Sequence, residues 1–329
     1  MTQVAPIPVT VIGGFLGAGK TTLVNHVLQS NLPIRFAVLV NDFGEINIDA
    51  DLIAQHDGDT INLANGCVCC SIGDSLISTL LNLTSREDRP GHIVIEASGV
   101  ADPLRIAEIA MVDPVCFQLE SVVVLADAEN VRRHAADRYV GDLVYDQIAS
   151  ADLLVLNKID LVDVVTRAEV RTWLDDQRGS TPVIETVGAD VVADLLFSAL
   201  PPHRSGRSSG FQVVATRQGH DALFESVSFQ SVHPVTRAAL DRFGQALPES
   251  VLRAKGIVAL VNEGHIAFHR AGRRWSLESA GSPDDGVGAT RIVLIGCKGD
   301  FDAPAVARAF TQMLDDSTGQ ATTARVICR

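Results

Sequence analysis

The feature that most constrains this chain is a glycine-rich stretch close to its start, Pro8-Val-Thr-Val-Ile-Gly-Gly-Phe-Leu-Gly-Ala-Gly-Lys-Thr-Thr22. It matches the phosphate-binding pattern G-x-x-x-x-G-K-[ST], with Gly14, Gly19, Lys20 and Thr21 at the fixed positions. Backbone N–H groups must turn inward to surround a polyphosphate, and glycine reaches the required angles without a Cβ clash. The stretch therefore predicts a phosphate-binding loop, and the alternative is a glycine-rich turn with no ligand.

The residues around this loop agree with that prediction. Residues 9–12 form an apolar run typical of a buried strand, and apolar residues after the loop recur at helical spacing. We expect Lys20 to reach the β- and γ-phosphate oxygens and Thr21 to offer its hydroxyl to Mg²⁺, at a helix N-terminus that favours anions. The predicted nucleotide-binding residues here are Gly14, Gly17, Ala18, Gly19, Lys20, Thr21 and Thr22.

The length and charge of the chain limit its organisation and partners. A chain of 329 residues exceeds the usual size of one core, so we predict a large domain at 1–200, a linker rich in proline, glycine and serine at 201–210, and a smaller domain at 211–329. A formal net charge of −13 argues against nucleic acid or an anionic membrane as the main partner.

The apolar runs and the cysteines of the sequence indicate the cellular compartment and the chemistry of the thiols. No apolar run approaches the roughly 20 residues that span a bilayer, and the first residues lack the order of a secretory signal, so we expect a cytoplasmic protein. Three of the six cysteines lie in Cys67-Val-Cys-Cys70. This clustering favours metal or redox chemistry over a disulfide framework.

Acidic residues lie at the ends of two predicted buried strands. Residues 41–49 form an acidic loop after a strand at 35–40, and its Asp42, Glu45 and Asp49 are expected to sense a γ-phosphate or a metal. Glu96 ends another strand, at 92–96, where a carboxylate can hold Mg²⁺ through water or position the attacking water. The alternatives are a solvated turn for the loop and a solvent-facing carboxylate for Glu96.

The cysteine segment predicts a site for a soft metal ion. Thiolates bind Zn²⁺ or Cu(I), and Cys67 and Cys69 project the same way from an extended chain, with Cys70 reachable through a turn. Three thiolates leave a fourth coordination position open, which suits an ion that is passed on. The alternatives are buried apolar cysteines and a redox pair.

The segment Asn157-Lys-Ile-Asp160 follows a further predicted strand and has the N-K-x-D order that reads guanine in GTPases. The carboxylate of Asp160 can accept from the base N1 and exocyclic amine, while Lys158 packs over the base. Because a wrong base leaves a buried acceptor unpaired, this segment predicts GTP over ATP. Residues 186–189 follow the next strand and could close the base pocket.

The remaining patterns complete the fold prediction. Strands and helices alternate up to a helix at 191–200, and a second group of strands and helices follows the linker. We predict an α/β P-loop NTPase with a mostly parallel sheet flanked by helices, plus a smaller C-terminal α+β domain. The histidines of that domain, including His265 and His269, lie beside no cysteine, so we interpret them as surface or satisfied residues. We likewise assign no functional role to Cys116, Cys297 and Cys328.

These motifs together resemble the CobW-like family of P-loop GTPases, and the resemblance extends past the linker to Val251-Leu-Arg-Ala-Lys-Gly256. It implies a GTPase that delivers or inserts zinc or cobalt into a client metalloprotein. Lys20 and Thr21 would then bind phosphate and Mg²⁺, and Cys67, Cys69 and Cys70 would hold the transported metal. Asp42 stands where the family commonly has Glu, and the family's frequent histidine-rich stretch is missing, which argues against bulk metal storage.

The resulting hypothesis is that GTP and Mg²⁺ order residues 41–49 and the cysteine segment into a metal-holding state, which hydrolysis relaxes. Lys20, Glu96 and Asp42 form the predicted catalytic group, and Thr21, Asp42, Glu45 and the three cysteines are the predicted metal ligands. Rival functions are a P-loop small-molecule kinase with Glu96 as base, a non-enzymatic metal buffer, and a nickel- or cobalt-centre maturation GTPase. The sequence is compatible with a homo-oligomer.

Overall fold

The computed structural model describes residues 5–30, 32, 34–40, 59–62, 71–179, 181–197, 224–279 and 290–318. The chain divides into two compact units, Met1–Ala199 and Leu200–Arg329. Each unit contains its own sheet and its own cluster of buried apolar side chains.

Among the described residues, the sheet of the first unit contains seven strands, and every neighbouring pair is parallel. The strands are β1 (Ile7–Gly14), β2 (Phe36–Val40), β3 (Asp59–Asn62), β4 (His92–Glu96), β5 (Phe117–Asp127), β6 (Leu153–Asn157) and β7 (Val183–Glu185). The predicted P-loop fold class is confirmed, and the described part of the sheet is parallel throughout rather than mostly so.

Helices connect these strands. They are α1 (Lys20–Gln29), α2 (Ser71–Thr84), α3 (Pro103–Ala110), α4 (Val131–Ala135), α5 (Gly141–Ser150), α6 (Val164–Arg178) and α7 (Ala193–Leu196). Side-chain caps begin two of them: Asp102 accepts from the Leu104 amide at 2.9 Å, and Asp163 accepts from the Thr166 amide at 2.7 Å. In the described part of the chain, no helix is both long and apolar enough to cross a membrane.

The strand order explains where a ligand would meet this unit. The order is β3-β2-β4-β1-β5-β6-β7, so β2, β3 and β4 lie on one side of β1 and β5, β6 and β7 lie on the other. Every residue of β2, β4 and β6 is buried, as expected for strands covered on both faces. In open parallel sheets, ligands bind at the carboxyl ends of the strands where the order reverses, which here is the end of β1.

The second unit contains a five-stranded antiparallel sheet of order β11-β10-β9-β12-β8. Its elements are β8 (Phe224–Ser231), α8 (Arg237–Ala246), β9 (Val251–Leu260), β10 (Gly264–Ala271), β11 (Arg274–Ser279), β12 (Thr290–Cys297) and α9 (Ala303–Thr318). Residues of β12 alternate between buried and half-buried, so one face of the sheet forms the core. Phe243 of α8 and Phe310 of α9 pack into that core with Leu294 of β12.

Several sequence predictions differ from these elements. The helix predicted at 191–200 is wrong, because only Ala193–Leu196 is helical and Phe197 is already extended, while residues 198–200 lie outside the described part. The sequence patterns did not predict α3, α4, α5 or β11. The signals for α3 were present, since Asp102 caps it and proline at the first helical position is pre-organised for a helix.

Candidate nucleotide-binding site

The phosphate-binding loop occupies residues 15–19, between the end of β1 and the start of α1. Gly14, Gly17 and Gly19 have positive φ angles of 129°, 75° and 105°. A Cβ atom on Gly14 would lie 2.3 Å from the Leu125 carbonyl oxygen, and one on Gly19 would lie 2.5 Å from the side-chain nitrogen of Asn157. Backbone angle and close approach therefore both require glycine at positions 14 and 19.

Lys20 and Thr21 lie in the first turn of α1, next to the end of β4. The Lys20 ammonium group is largely buried and donates to the Phe15 carbonyl at 3.3 Å across the loop. The Thr21 hydroxyl donates to Glu96 Oε1 at 2.8 Å, and Glu96 is only 2% exposed. Of the predicted catalytic residues, Lys20 and Glu96 thus lie at one edge of the sheet together with Thr21, and Asp42 lies outside the described residues. Thr22 is exposed.

The oxygen donors at this edge fit a magnesium ion. Mg²⁺ prefers oxygen ligands and is usually held by one or two carboxylates together with substrate phosphates. The Thr21 hydroxyl and the buried Glu96 carboxylate supply such oxygens at the N-terminus of α1, where a phosphate group is also favoured. The donor set is therefore suited to a Mg²⁺–nucleotide complex.

The segment after Glu96 is held against the phosphate-binding loop. Gly99 approaches Leu16 so closely that a Cβ atom would lie 2.5 Å from a Leu16 methyl carbon. Gln147, buried on α5, donates to the carbonyl oxygens of Gly99 at 3.2 Å and Ala101 at 2.9 Å. Sequence reasoning missed Gln147, because no local pattern marks a glutamine that fixes a distant loop.

The Asn157 side chain forms hydrogen bonds with two loops at the same edge of the sheet. Its Nδ2 donates to the carbonyl oxygen of Ala18 at 2.9 Å, and its Oδ1 accepts from the Ala189 amide at 2.7 Å. The predicted base-closing segment at 186–189 therefore lies beside Asn157. His26 of α1 also contacts that segment, with Nδ1 lying 3.1 Å from the Ala189 carbonyl oxygen.

Lys158 and Asp160 follow in a tight turn. Lys158 has a left-handed backbone with φ 61°, and Ile159–Leu161 forms a single 3₁₀ turn in which Asp160 is exposed. The Lys158 ammonium group lies 2.7 Å from Oδ2 of Asp127, a residue that the sequence analysis did not select. Asp127 ends β5 as Asn157 ends β6, and the two residues are paired in register. This pairing is a property of the folded sheet, so the sequence alone did not indicate Asp127.

Two groups of predicted site residues lie outside the described residues: the acidic residues Asp42, Glu45 and Asp49, and the thiolate ligands Cys67, Cys69 and Cys70. Within the described ranges, no group of three or more His, Cys, Asp or Glu side chains is placed to hold a metal ion. His269 of β10 has its pKa lowered to about 4 by burial and by the nearby positive charges of Arg253 and Lys255. The folded protein thus favours the neutral imidazole of His269.

The fold and the arrangement of the site define the class of this protein, a P-loop nucleotide hydrolase. The family described as "CobW/HypB/UreG, nucleotide-binding domain" matches residues 8–185, and "Cobalamin synthesis protein cobW C-terminal domain" matches residues 224–314. The first match alone covers more than half of the chain. The chain therefore belongs to the CobW/HypB/UreG family of P-loop GTPases.

Individual proteins are similar to this chain over different shares of its length. The zinc chaperone CobW of a Sinorhizobium species is 31% identical over 94% of this chain and 97% of its own length. The zinc-regulated GTPase metalloprotein activator 1 of Dictyostelium discoideum is 32% identical over 47% of this chain and 40% of its own length. The crystal structure of Zn(II)-bound YjiA GTPase from Escherichia coli is similar at 25% identity and a TM-score of 0.45, covering 94% of this chain and 99% of that one.

Proposed function

We propose that this GTPase carries a transition-metal ion, zinc first among the candidates, at Cys67, Cys69 and Cys70 and transfers it to a client metalloprotein. The relative named zinc chaperone CobW, which aligns over nearly the whole chain, supports zinc and the chaperone role. The observation that carries the nucleotide half of the proposal is the Asn157 side chain, which bonds the phosphate-binding loop at Ala18 and the loop at Ala189 together.

In this proposal, the residues at the sheet edge bind and orient GTP. Backbone N–H groups of residues 15–19 and the Lys20 ammonium group surround the phosphates, and Asp160 reads guanine beside Asn157 and Lys158. Thr21 and Glu96 would hold Mg²⁺, which neutralises charge on the phosphates when bound. Glu96 also positions a water molecule whose oxygen attacks the γ-phosphorus as the bond to the β-phosphate oxygen breaks, giving GDP and inorganic phosphate.

The metal half rests on the order of the elements. β3 ends at Asn62 and α2 begins at Ser71, so the C-x-C-C motif lies in the connection that follows β3. Because all strands of this sheet are parallel, β3 ends at the same edge as β1 and the phosphate-binding loop. We propose that Asp42 and Glu45, which follow β2 at that edge, respond to the γ-phosphate and change the metal affinity of the thiolates.

Two measurements on the purified protein test the activity and the metal site. Incubation with GTP and Mg²⁺ should release free inorganic phosphate, whereas phosphate appearing on an added small molecule would support a kinase. The zinc content should fall from about one ion per chain to near zero in Cys67→Ser, Cys69→Ser or Cys70→Ser. Cys116→Ser, at a half-buried cysteine outside the motif, is the matched control and should keep its zinc. Full zinc loading of all three motif variants would contradict the proposed site.

A further inference from the structure

A carboxylate outside the N-K-x-D segment makes direct contact with that segment. Asp127 is the last residue of β5 and is 7% exposed, and its Oδ2 lies 2.7 Å from the Lys158 ammonium nitrogen. The two strands that end here are paired, with Asp127 opposite Asn157 and the Ala128 amide donating to the Asn157 carbonyl oxygen at 2.9 Å. The pairing of β5 with β6 thus places this carboxylate beside the lysine.

The carboxylate is itself held in place by the turn that precedes α4. The Glu129 amide donates to Asp127 Oδ1 at 2.9 Å, and the Asn130 side chain donates to Oδ2 at 3.1 Å. Burial alone would raise the pKa of Asp127, but the donors Lys158, Asn130 and Glu129 together bring it below its ordinary value. Asp127 is therefore a charged and rigid partner for Lys158 at neutral pH.

Lys158 is fixed at its backbone as well. A left-handed conformation is uncommon for a residue with a Cβ atom, and Lys158 adopts it with φ 61° and ψ 34°. The 3₁₀ turn that follows carries Asp160. A long lysine side chain normally samples many rotamers, so an ion pair to a rigid carboxylate orders the ammonium group before any ligand arrives.

We infer that Asp127 is a positioning residue for nucleotide binding, which acts by holding Lys158 where the base will lie. The inference rests on the proposed reading of guanine by residues 157–160. A pre-ordered binding group loses less freedom when the ligand binds, so Asp127 strengthens the binding of both GTP and GDP. Because Asp127 lies at the base end rather than at Thr21 and Glu96, it affects nucleotide affinity and leaves the hydrolytic step unchanged.

A double-mutant cycle separates positioning from general structural support. The variants are Asp127→Asn, Lys158→Met and the double variant, and the readouts are the Kd of a fluorescent GDP analogue, and KM and kcat for GTP. We expect Asp127→Asn to weaken GDP binding roughly tenfold and to raise KM with little change in kcat. In the Lys158→Met background the same substitution should have almost no effect, because Asp127 acts through Lys158.

Asp146→Asn is the matched control, since Asp146 is an exposed acid on α5, and it should bind GDP as the parent does. Unchanged GDP affinity in Asp127→Asn, or an equal loss in the presence and absence of Lys158, would overturn the inference. Asparagine keeps one oxygen, which can accept from the Glu129 amide, and loses the second, which accepts from Asn130 and Lys158. If Asp127→Asn does not fold, Asp127→Ser, which also removes the charge, replaces it under the same criteria. If the parent binds ADP as well as GDP, the proposed guanine reading fails, and the cycle measured with ADP still decides the role of Asp127.

Discussion

Glu96, the last residue of β4, contacts the helix α1 that follows the phosphate-binding loop. Its nearly buried carboxylate accepts a hydrogen bond from the Thr21 hydroxyl. Replacement by glutamine keeps the size and one acceptor oxygen but removes the negative charge. Any change in activity would therefore report on the charge.

We expect Glu96→Gln to lower kcat for GTP hydrolysis about 100-fold, because a charged carboxylate is needed to hold Mg²⁺ and to position the attacking water. The affinity for GDP without Mg²⁺ should stay close to that of the parent, as measured with a fluorescent analogue. Glu108→Gln, at an exposed acid on α3, is the control and should hydrolyse GTP normally. Parent-like hydrolysis by Glu96→Gln would exclude a catalytic role for this carboxylate.

The sequence predicted those site residues that lie within a few positions of one another in a recognisable motif. Gly14, Gly19, Lys20 and Thr21 are separated by a few residues, and so are Asn157 and Asp160, so local patterns identify both groups. Asp127 and Gln147 contact the site only because β5 pairs with β6 and α5 packs against the loop after Glu96. Contacts of that kind depend on tertiary structure, and one sequence does not display them.

The junction between β1 and the phosphate-binding loop is the element on which the first unit depends. Gly14 approaches the backbone of Leu125 in β5 more closely than any side chain allows. Gly17 also has a positive φ angle, but nothing lies within 4 Å of the position of its Cβ atom. Substitutions at the two positions therefore distinguish two contributions to destabilisation: the steric clash of a Cβ atom and the unfavourable backbone angle.

We expect Gly14→Ala to destabilise the first unit by about 3 kcal/mol or more, because the new methyl group meets a backbone carbonyl and the φ angle is unfavourable. Gly17→Ala should cost only about 1 kcal/mol, from the backbone angle alone. Both can be measured by urea unfolding with Trp173 fluorescence in a Trp275→Phe background, since the chain has two tryptophans. Equal destabilisation by both substitutions would show that the close approach costs nothing.

The antiparallel sheet of the second unit contains a histidine whose protonation opposes folding. The pKa of His269 falls from 6.5 to about 4, through burial first and then the positive charges of Arg253 and Lys255. The folded state thus favours the neutral imidazole. Below pH 6.5 the unfolded state takes up a proton on His269 before the folded state does. The free energy of unfolding therefore falls as the pH decreases from 6.5 towards 4.

Replacing His269 by glutamine should therefore reduce the acid sensitivity of this unit. Between about pH 7 and about pH 4.5, we expect the parent to lose about 2 kcal/mol more unfolding free energy than His269→Gln. Urea unfolding followed by Trp275 fluorescence in a Trp173→Phe background reports on the second unit. An identical loss in the parent and the variant would show that His269 titrates normally in the folded protein.

An apolar pattern alone determines neither every element nor the ends of an element. β5 extends over Phe117–Asp127, beyond its apolar run at residues 122–125, because it pairs with β1 from Ile7 onward across an irregularity at Val9. The helix predicted at 191–200 ends early, since an apolar pattern alone does not show where the chain becomes extended. β11 was missed because its mixed polar sequence is a strand only through its pairing with β10.

At the scale of the whole molecule, the two family matches cover most of the chain. What distinguishes a metal-transferring GTPase from a metal buffer is coupling between the nucleotide and the metal. A nucleotide that binds both metal states equally well cannot change their populations, however tightly it binds.

The affinity of the protein for Zn²⁺ in two nucleotide states is the measurement that tests this coupling. The full chain is loaded with Mg²⁺ and either a non-hydrolysable GTP analogue or GDP, and Zn²⁺ is titrated against a chelating dye. We predict that Zn²⁺ binds at least about tenfold more tightly in the GTP-analogue state, a difference of about 1.4 kcal/mol. Equal Zn²⁺ affinity in the two states would contradict nucleotide-controlled metal transfer.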